Sequence, residues 1–273
     1  MSAARPDFRR AGSAGAIQGE VTSPDGARIA YDCCGAGPAV ILLHGGGSRR
    51  QEWHTAGYVA RLQEFFTVIT MDLRGHGESA CPVDPADYAL EKQAQDILTV
   101  AAACGASRFI LWGFSYGSKV GRYVAVQSGR VERVVLMSAT LGPGAAGRLR
   151  QDVLDFCAHW PPILQARQAG ALDLASLSAI DQDLLLHYNV PAMLGWGTAM
   201  LDWPAVEPAD FPCPALWLIG AEDEPAMTDL QQFQPRLVGS QLRAQVMEGL
   251  DHGQVFDEIE RVFPTLLAFS KPA

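Results

Sequence analysis

Short apolar runs recur along the chain, and polar, helix-like segments separate them. A continuous run of four to six apolar residues is typical of a strand whose two faces are both buried. The sequence therefore predicts buried strands at 39–43, 67–72, 109–112, 134–137 and 215–220, and one more strand-like run lies at 242–247.

The segments between these runs carry helical patterns, at 56–64, 91–104, 118–127, 227–238 and near 262–269. Alternation of strands with helices predicts an α/β fold, a mostly parallel sheet with helices on both faces. Residues 16–22 and 27–33 flank the turn sequence Ser-Pro-Asp-Gly at 23–26, which predicts an antiparallel hairpin at the sheet edge.

The alternation stops between residues 141 and 210, where no buried strand is apparent. This stretch shows helix-like patterns at 149–159 and 175–188, with Pro161 and Pro162 following the first of them. We expect a helical insertion over the carboxyl ends of the strands, where ligands bind in open α/β sheets. The expected division is a flexible tail at 1–15, a core at 16–140 and 211–273, and a cap at 141–210.

Composition limits the classes of function. The chain has 273 residues, is 48% hydrophobic and carries a net charge of −9, without a cluster of basic residues. We therefore expect no nucleic-acid and no membrane partner, and the sequence leaves the oligomeric state open. The six cysteines form no C-x-x-C pair, and we expect no secretion signal, because no apolar region follows the arginines at positions 5, 9 and 10. Reduced thiols and a cytoplasmic location are the expectation.

A serine lies between two glycines where a predicted strand meets a predicted helix. The sequence is Gly-Phe-Ser-Tyr-Gly at 113–117, with Ser115 at its centre. A strand, a sharp turn and a helix expose a serine hydroxyl as a nucleophile, and glycines allow the close approach of strand and helix. The alternative is that Ser115 is an ordinary helix N-cap.

Two further residues have the chemistry that a serine nucleophile needs. Asp223 comes after the strand at 215–220, and His252 comes after the strand-like run at 242–247. A serine hydroxyl needs a base to remove its proton, and the base needs a third group to fix its tautomer. We assign His252 as the base, and Glu222, Asp223 and Glu224 are the candidate acids.

These features resemble the α/β-hydrolase family. The resemblance rests on His-Gly-Gly-Gly at 44–47, Asp-Leu-Arg-Gly-His-Gly-Glu-Ser at 72–79, the serine motif at 113–117, and the pair formed by Asp223 and His252. It covers nearly all of the chain after the first fifteen residues. It implies an eight-stranded, mostly parallel sheet with a small helical cap inserted after strand six.

Within the family the chain is most similar to cofactor-free serine esterases, lactonases and carbon–carbon bond hydrolases. The resemblance implies an oxyanion hole formed by the backbone N–H groups of Gly46 and Tyr116, with Gly47 as an alternative donor. Trp53 and Trp196 are candidates to line an apolar acyl pocket, unless they pack in the core. We expect no metal and no cofactor.

The leading interpretation is an enzyme that cleaves carboxylic esters of small to medium, largely neutral substrates through an acyl-enzyme. A lactonase or a carbon–carbon bond hydrolase with the same triad is the alternative within the enzymes. A small-molecule receptor with very slow turnover is the alternative outside them. In each case the partner is a small molecule.

Overall fold

A computed structural model describes residues 17–271, and the expected N-terminal tail lies outside the described residues. Eight strands form a single sheet in the order β1-β2-β4-β3-β5-β6-β7-β8. The strands are β1 (Ile17–Thr22), β2 (Arg28–Gly35), β3 (Ala39–Leu43), β4 (Thr67–Met71), β5 (Phe109–Phe114), β6 (Val131–Met137), β7 (Ala215–Gly220) and β8 (Leu242–Met247).

The sheet is parallel except at one edge. Strand β2 pairs antiparallel with both β1 and β4, which confirms the predicted edge hairpin. The other strands pair in parallel, and Leu43 at the end of β3 is in register with Met71 of β4 and Gly113 of β5. Because these carboxyl ends are level, the loops that follow the three strands meet at the same edge of the sheet.

Helices cover both faces of the sheet, as predicted. The α-helices are α1 (Gln51–Thr55), α2 (Tyr58–Leu62), α3 (Leu90–Ala103), α4 (Tyr116–Gln127), α5 (Gly147–Gln168), α6 (Ala179–His187), α7 (Val190–Met200), α8 (Glu224–Leu237), α9 (Gln254–Asp257) and α10 (Ile259–Ser270). All five residues of β3 are buried. Ile41 and Leu43 join the core cluster that includes helices α3 and α4, while Val40 and Leu42 join the cluster that includes α1, α2 and α10. This two-sided burial explains why the strand is apolar throughout.

Three α-helices, α5 to α7, lie between β6 and β7, and we refer to residues 141–210 as the cap. The sequence predicts that the first helix ends before Pro161, but α5 continues through both prolines to Gln168. Pro161 and Pro162 are exposed. On the buried side, Trp160, Ile163 and Leu164 pack in a small cluster with residues of α6 and α7. This packing holds the helix together where two backbone hydrogen bonds are missing.

None of the helices within residues 17–271 has both the length and the apolar character needed to cross a membrane.

Candidate active site

Ser115 lies in a sharp turn between β5 and α4, in the backbone conformation φ 50° and ψ −112°. Its backbone N–H donates to the carbonyl oxygen of Met137 at 2.9 Å, which fixes the turn against β6. The two flanking glycines are required by space. A Cβ at Gly113 would come within 2.5 Å of the backbone nitrogen of Ser118, and a Cβ at Gly117 within 2.3 Å of the Leu43 carbonyl oxygen.

The three residues assigned from the sequence lie in one hydrogen-bonded line. His252 Nε2 is 3.0 Å from Ser115 Oγ, and His252 Nδ1 is 2.9 Å from Asp223 Oδ2. The carboxylate can only accept, so Nδ1 carries the proton and Nε2 is left as the acceptor that faces the serine hydroxyl. Asp223 is 2% exposed, whereas half of the His252 side chain is exposed.

Asp223 holds its position because its two carboxylate oxygens have different partners. One oxygen faces His252, and the other accepts from the backbone N–H of Ala226 at 3.4 Å as the N-cap of α8. The competing acids are directed elsewhere. Glu222 and Glu224 are exposed, and Asp251 accepts a hydrogen bond from the Gln254 backbone at 2.8 Å.

His252 is supported from two sides by residues that the sequence did not single out for this purpose. The ring packs against Phe114, with 5.5 Å between the ring centroids, and Ser138 Oγ donates to the His252 carbonyl oxygen at 3.1 Å. Ser138 is also one of two non-glycine residues with positive φ within 17–271. Ser138 has no flanking glycines to mark a sharp turn, so its role was not predicted.

The glycine turn after β3 lies against the serine turn. A Cβ on Gly45 would be 3.6 Å from the Cβ of Ser115, and a Cβ on Gly46 would be 3.5 Å from the Cβ of Tyr116. The two proposed donors, the backbone N–H groups of Gly46 and Tyr116, therefore belong to neighbouring backbone segments. Tyr116 is the first residue of α4, where a backbone N–H has no acceptor within the helix.

His44 and His76 are both buried and form edge-to-face contact, with 4.9 Å between ring centroids. His44 Nδ1–H donates to the Gly45 carbonyl oxygen at 2.8 Å, and its Nε2 accepts from the Leu73 backbone at 3.0 Å. Burial lowers the pKa of His44 to about 4 and that of His76 to about 3, so both rings are neutral near pH 7. His44 therefore ties the glycine turn to the loop after β4.

A buried carboxylate fastens the same two loops. Asp72 accepts from the backbone N–H groups of Arg50 at 2.6 Å and Glu78 at 2.8 Å, and it pairs with the Arg50 guanidinium. The guanidinium also contacts Asp32 at 3.2 Å. Burial raises the pKa of Asp72, and the Arg50 cation opposes that effect.

The tryptophans predicted for a pocket occupy different positions. Trp196, on α7 of the cap, is half-buried and lies over the glycine turn, 3.3 Å from where a Cβ of Gly46 would be. Its ring contacts Tyr116 with 4.9 Å between centroids. Trp53 has no exposed surface and packs against Tyr58 and Phe256 in the core. A side chain without exposed surface offers nothing for a ligand to contact, so the prediction that Trp53 lines a pocket is wrong.

Comparisons with known proteins agree with this fold. A family model described as the alpha/beta hydrolase fold matches residues 38–165. N-formylmaleamate deformylase of Pseudomonas putida is 32% identical over 186 residues, which are 58% of this chain and 68% of that protein. A putative 2-succinyl-6-hydroxy-2,4-cyclohexadiene-1-carboxylate synthase of Bacillus subtilis is 24% identical over 81% of this chain and 88% of its own length.

Among solved structures, an esterase from Exiguobacterium antarcticum superposes with a TM-score of 0.73 at 19% identity, over 94% of this chain and 100% of the esterase. Uncharacterized proteins of Mycobacterium bovis and Mycobacterium tuberculosis are 36% identical over 115 residues, but the chain spans only 33% of their length. The chain belongs to the α/β-hydrolase family.

Proposed function

We propose that this protein is a serine hydrolase that cleaves carboxylic esters of small to medium, largely neutral substrates. The proposal rests chiefly on the line from Ser115 through His252 to Asp223, with hydrogen-bond distances of 3.0 and 2.9 Å. A nucleophile, a base with an acceptor nitrogen facing it and a buried acid that orients the base are the parts that acyl transfer requires.

In the proposed reaction His252 Nε2 removes the hydroxyl proton as Ser115 Oγ attacks the ester carbonyl carbon. The resulting oxyanion accepts from the backbone N–H groups of Gly46 and Tyr116. His252 then gives its proton to the departing alcohol, which leaves an acyl group on Ser115. A water molecule, deprotonated by the same imidazole, cleaves the acyl-enzyme and restores the hydroxyl. Asp223 stabilises the imidazolium in both halves of the reaction.

Mass spectrometry after exposure to a serine-directed aryl phosphonate tests the nucleophile and the site together. We expect a single label on Ser115 in the wild type and none at that peptide in Ser115→Ala. Ser128→Ala is a matched control: Ser128 directly follows α4, at the opposite end of the helix from the serine turn, so this variant should leave labelling intact. A label on another serine would contradict the proposal.

Turnover of a phenyl ester separates an enzyme from a receptor on the same scaffold. Repeated release of phenol, many equivalents per protein, is the expected result. Release of a single equivalent followed by a stable acyl adduct would favour the receptor. Ser115→Ala should lower kcat by about 10⁴ or more, because triad residues act as a unit.

A further inference from the structure

Cys33 and Cys104 lie on the same face of the sheet, although they are far apart in the sequence. Cys33 of β2 is opposite Ile69 of β4, and residues directly opposite each other on paired strands point to the same face. Ile69 belongs to the core cluster that includes α3, and both cysteines pack against that cluster. Cys104 is the C-cap residue of α3. The middle of β2 and the end of α3 therefore place two thiols on one side of the sheet.

The two thiols are in direct contact, because the side chains of Cys33 and Cys104 share a hydrogen bond. Tyr31, two residues before Cys33 on the same strand, lies near both sulfurs. Burial raises the pKa of Tyr31, and the charges of the two cysteines add to that effect. The sulfurs of a disulfide are about 2 Å apart, so thiols that already touch need only a small movement to bond.

The hydrogen bond makes the two cysteines chemically unequal. It lowers the pKa of the Cys33 thiol, although burial opposes this effect. The same hydrogen bond raises the pKa of the Cys104 thiol, and burial raises it further. A thiolate, and not a thiol, is the form that attacks oxidants and disulfides. Cys33 is therefore the sulfur that reacts first, and Cys104 is the thiol next to it.

The pair lies near the surface of the protein. Cys33 and Cys104 are each half-buried, and Gly105, which follows Cys104, is exposed. A Cβ on Gly105 would meet no atom within 4 Å, so the space beside the end of α3 is open. Ile17, which is opposite Cys33 on the edge strand β1, is 68% exposed. Thiolate character and exposure are the two properties that make a cysteine susceptible to oxidation.

We propose that Cys33 and Cys104 are a redox-active pair that hydrogen peroxide oxidises to an intramolecular disulfide, which links β2 to the end of α3. The Cys33 sulfur attacks one peroxide oxygen, so that an S–O bond forms, the O–O bond breaks and the other oxygen leaves as water. The Cys104 sulfur then attacks the Cys33 sulfur, and the S–S bond forms as the S–O bond breaks and a second water leaves. Overall the two thiols lose two electrons and two protons, and hydrogen peroxide is reduced to two molecules of water.

The disulfide would enclose residues 33–104, which include β3, β4, the glycine turn and the loop after β4. A disulfide stabilises a protein mainly by restricting its unfolded chain, and the effect grows with the length of the enclosed loop. We expect the oxidised protein to unfold at a urea concentration about 1 M higher than the reduced protein. Dithiothreitol should reduce the bond and restore the original midpoint.

Peptide mapping tests the pair directly. The folded full-length chain is treated with hydrogen peroxide, its remaining thiols are blocked with N-ethylmaleimide, and it is digested with trypsin without a reductant. Cys33 lies in the tryptic peptide 29–49, and Cys104 lies in the peptide 93–108. We expect mass spectrometry to find these two peptides joined, with two hydrogens fewer than the sum of the separate peptides, and to find them separate after dithiothreitol.

Cys34→Ala is the matched control, because Cys34 is adjacent to Cys33 and belongs to the same tryptic peptide. Cys34 is buried on the opposite face of the sheet, in the core cluster that includes α2 and α10. Cys34→Ala should keep both the joined peptides and the shift in urea midpoint, whereas Cys33→Ala and Cys104→Ala should lose both. If a variant does not fold, fragment ions that separate positions 33 and 34 in the wild-type peptide identify the bonded sulfur.

Separate peptides in the oxidised wild type would overturn the proposal, and so would joined peptides that persist in Cys33→Ala. A bond through Cys34, or disulfide-linked dimers in place of the internal bond, would overturn it as well. An oxidised protein with an unchanged or lower urea midpoint would refute the stabilising effect of the disulfide. The proposal is independent of the serine hydrolase function, so Ser115→Ala should form the same disulfide.

Discussion

The backbone of Ser115, at φ 50° and ψ −112°, lies in a region that residues with a Cβ rarely adopt. Holding a residue with a Cβ in this conformation costs about 1–3 kcal/mol, which interactions elsewhere in the structure must offset. Glycine at this position would remove that cost but would lose about 0.4–1 kcal/mol through the greater freedom of the unfolded chain. The free energy of unfolding of Ser115→Gly should therefore be about 1 kcal/mol higher than that of Ser115→Ala. Both variants lack the nucleophile.

The alanine variant is the proper reference, because it loses the same hydroxyl and keeps the Cβ. The assay is equilibrium unfolding in urea, and the free energies of unfolding are compared at matched m-values. Ser128→Gly and Ser128→Ala give the same comparison at φ −84°, where glycine should be the less stable of the two. Greater stability of Ser115→Ala over Ser115→Gly would refute the argument that the turn is strained.

Three further outcomes follow from the site. Asp223→Asn should lower kcat by about 10⁴ while Glu222→Gln costs less than about tenfold, since only the buried acid orients the base; equal losses would assign the acid elsewhere. Gly117→Ala should destabilise the fold by more than about 2 kcal/mol, because its Cβ would meet a carbonyl oxygen of β3 at 2.3 Å, whereas Gly197→Ala, with 3.6 Å to its nearest atom, should be tolerated in the same unfolding assay. Burial lowers the pKa of His76 to about 3, so its folded-state pKa lies below the unfolded value of about 6.5, and its contribution to stability is present above pH 6.5 and lost as the pH falls. From pH 7 to pH 5 the free energy of unfolding in urea should fall by about 2 kcal/mol more in the wild type than in His76→Phe. Equal decreases in the two proteins would contradict the burial argument.

Local sequence identified most of the sheet because its central strands are buried on both faces. Strand β3 is apolar at each of its five positions, and such runs need no knowledge of their neighbours to be recognised. The length of α5 could not be predicted in this way. Its helix-like sequence pattern ends before Pro161 and Pro162. The helix continues past them because Trp160 and its neighbours pack against the other cap helices.

The candidate triad was identified from the sequence because each residue follows a predicted strand and parallel strands end at the same edge. That reasoning brought Ser115, Asp223 and His252 to one place, but it could not give their distances or the direction of each side chain. It also could not tell which of the two tryptophans, Trp53 or Trp196, lies in the core and which lies near the glycine turn. Trp53 became part of the core, whereas Trp196 came to lie over Gly46.

The sequence by itself predicted the alternation of strands and helices, the candidate residues at the ends of the strands, and the need for glycine on both sides of Ser115. Only the tertiary structure decided which polar atoms are left without partners. Ser48 and His76 are 28 positions apart, and both have ordinary local surroundings. Ser48 Oγ and His76 Nε2 have no hydrogen-bond partner among residues 17–271, and only the folded chain reveals this, because hydrogen-bond satisfaction depends on every neighbour in space and not on neighbours along the chain.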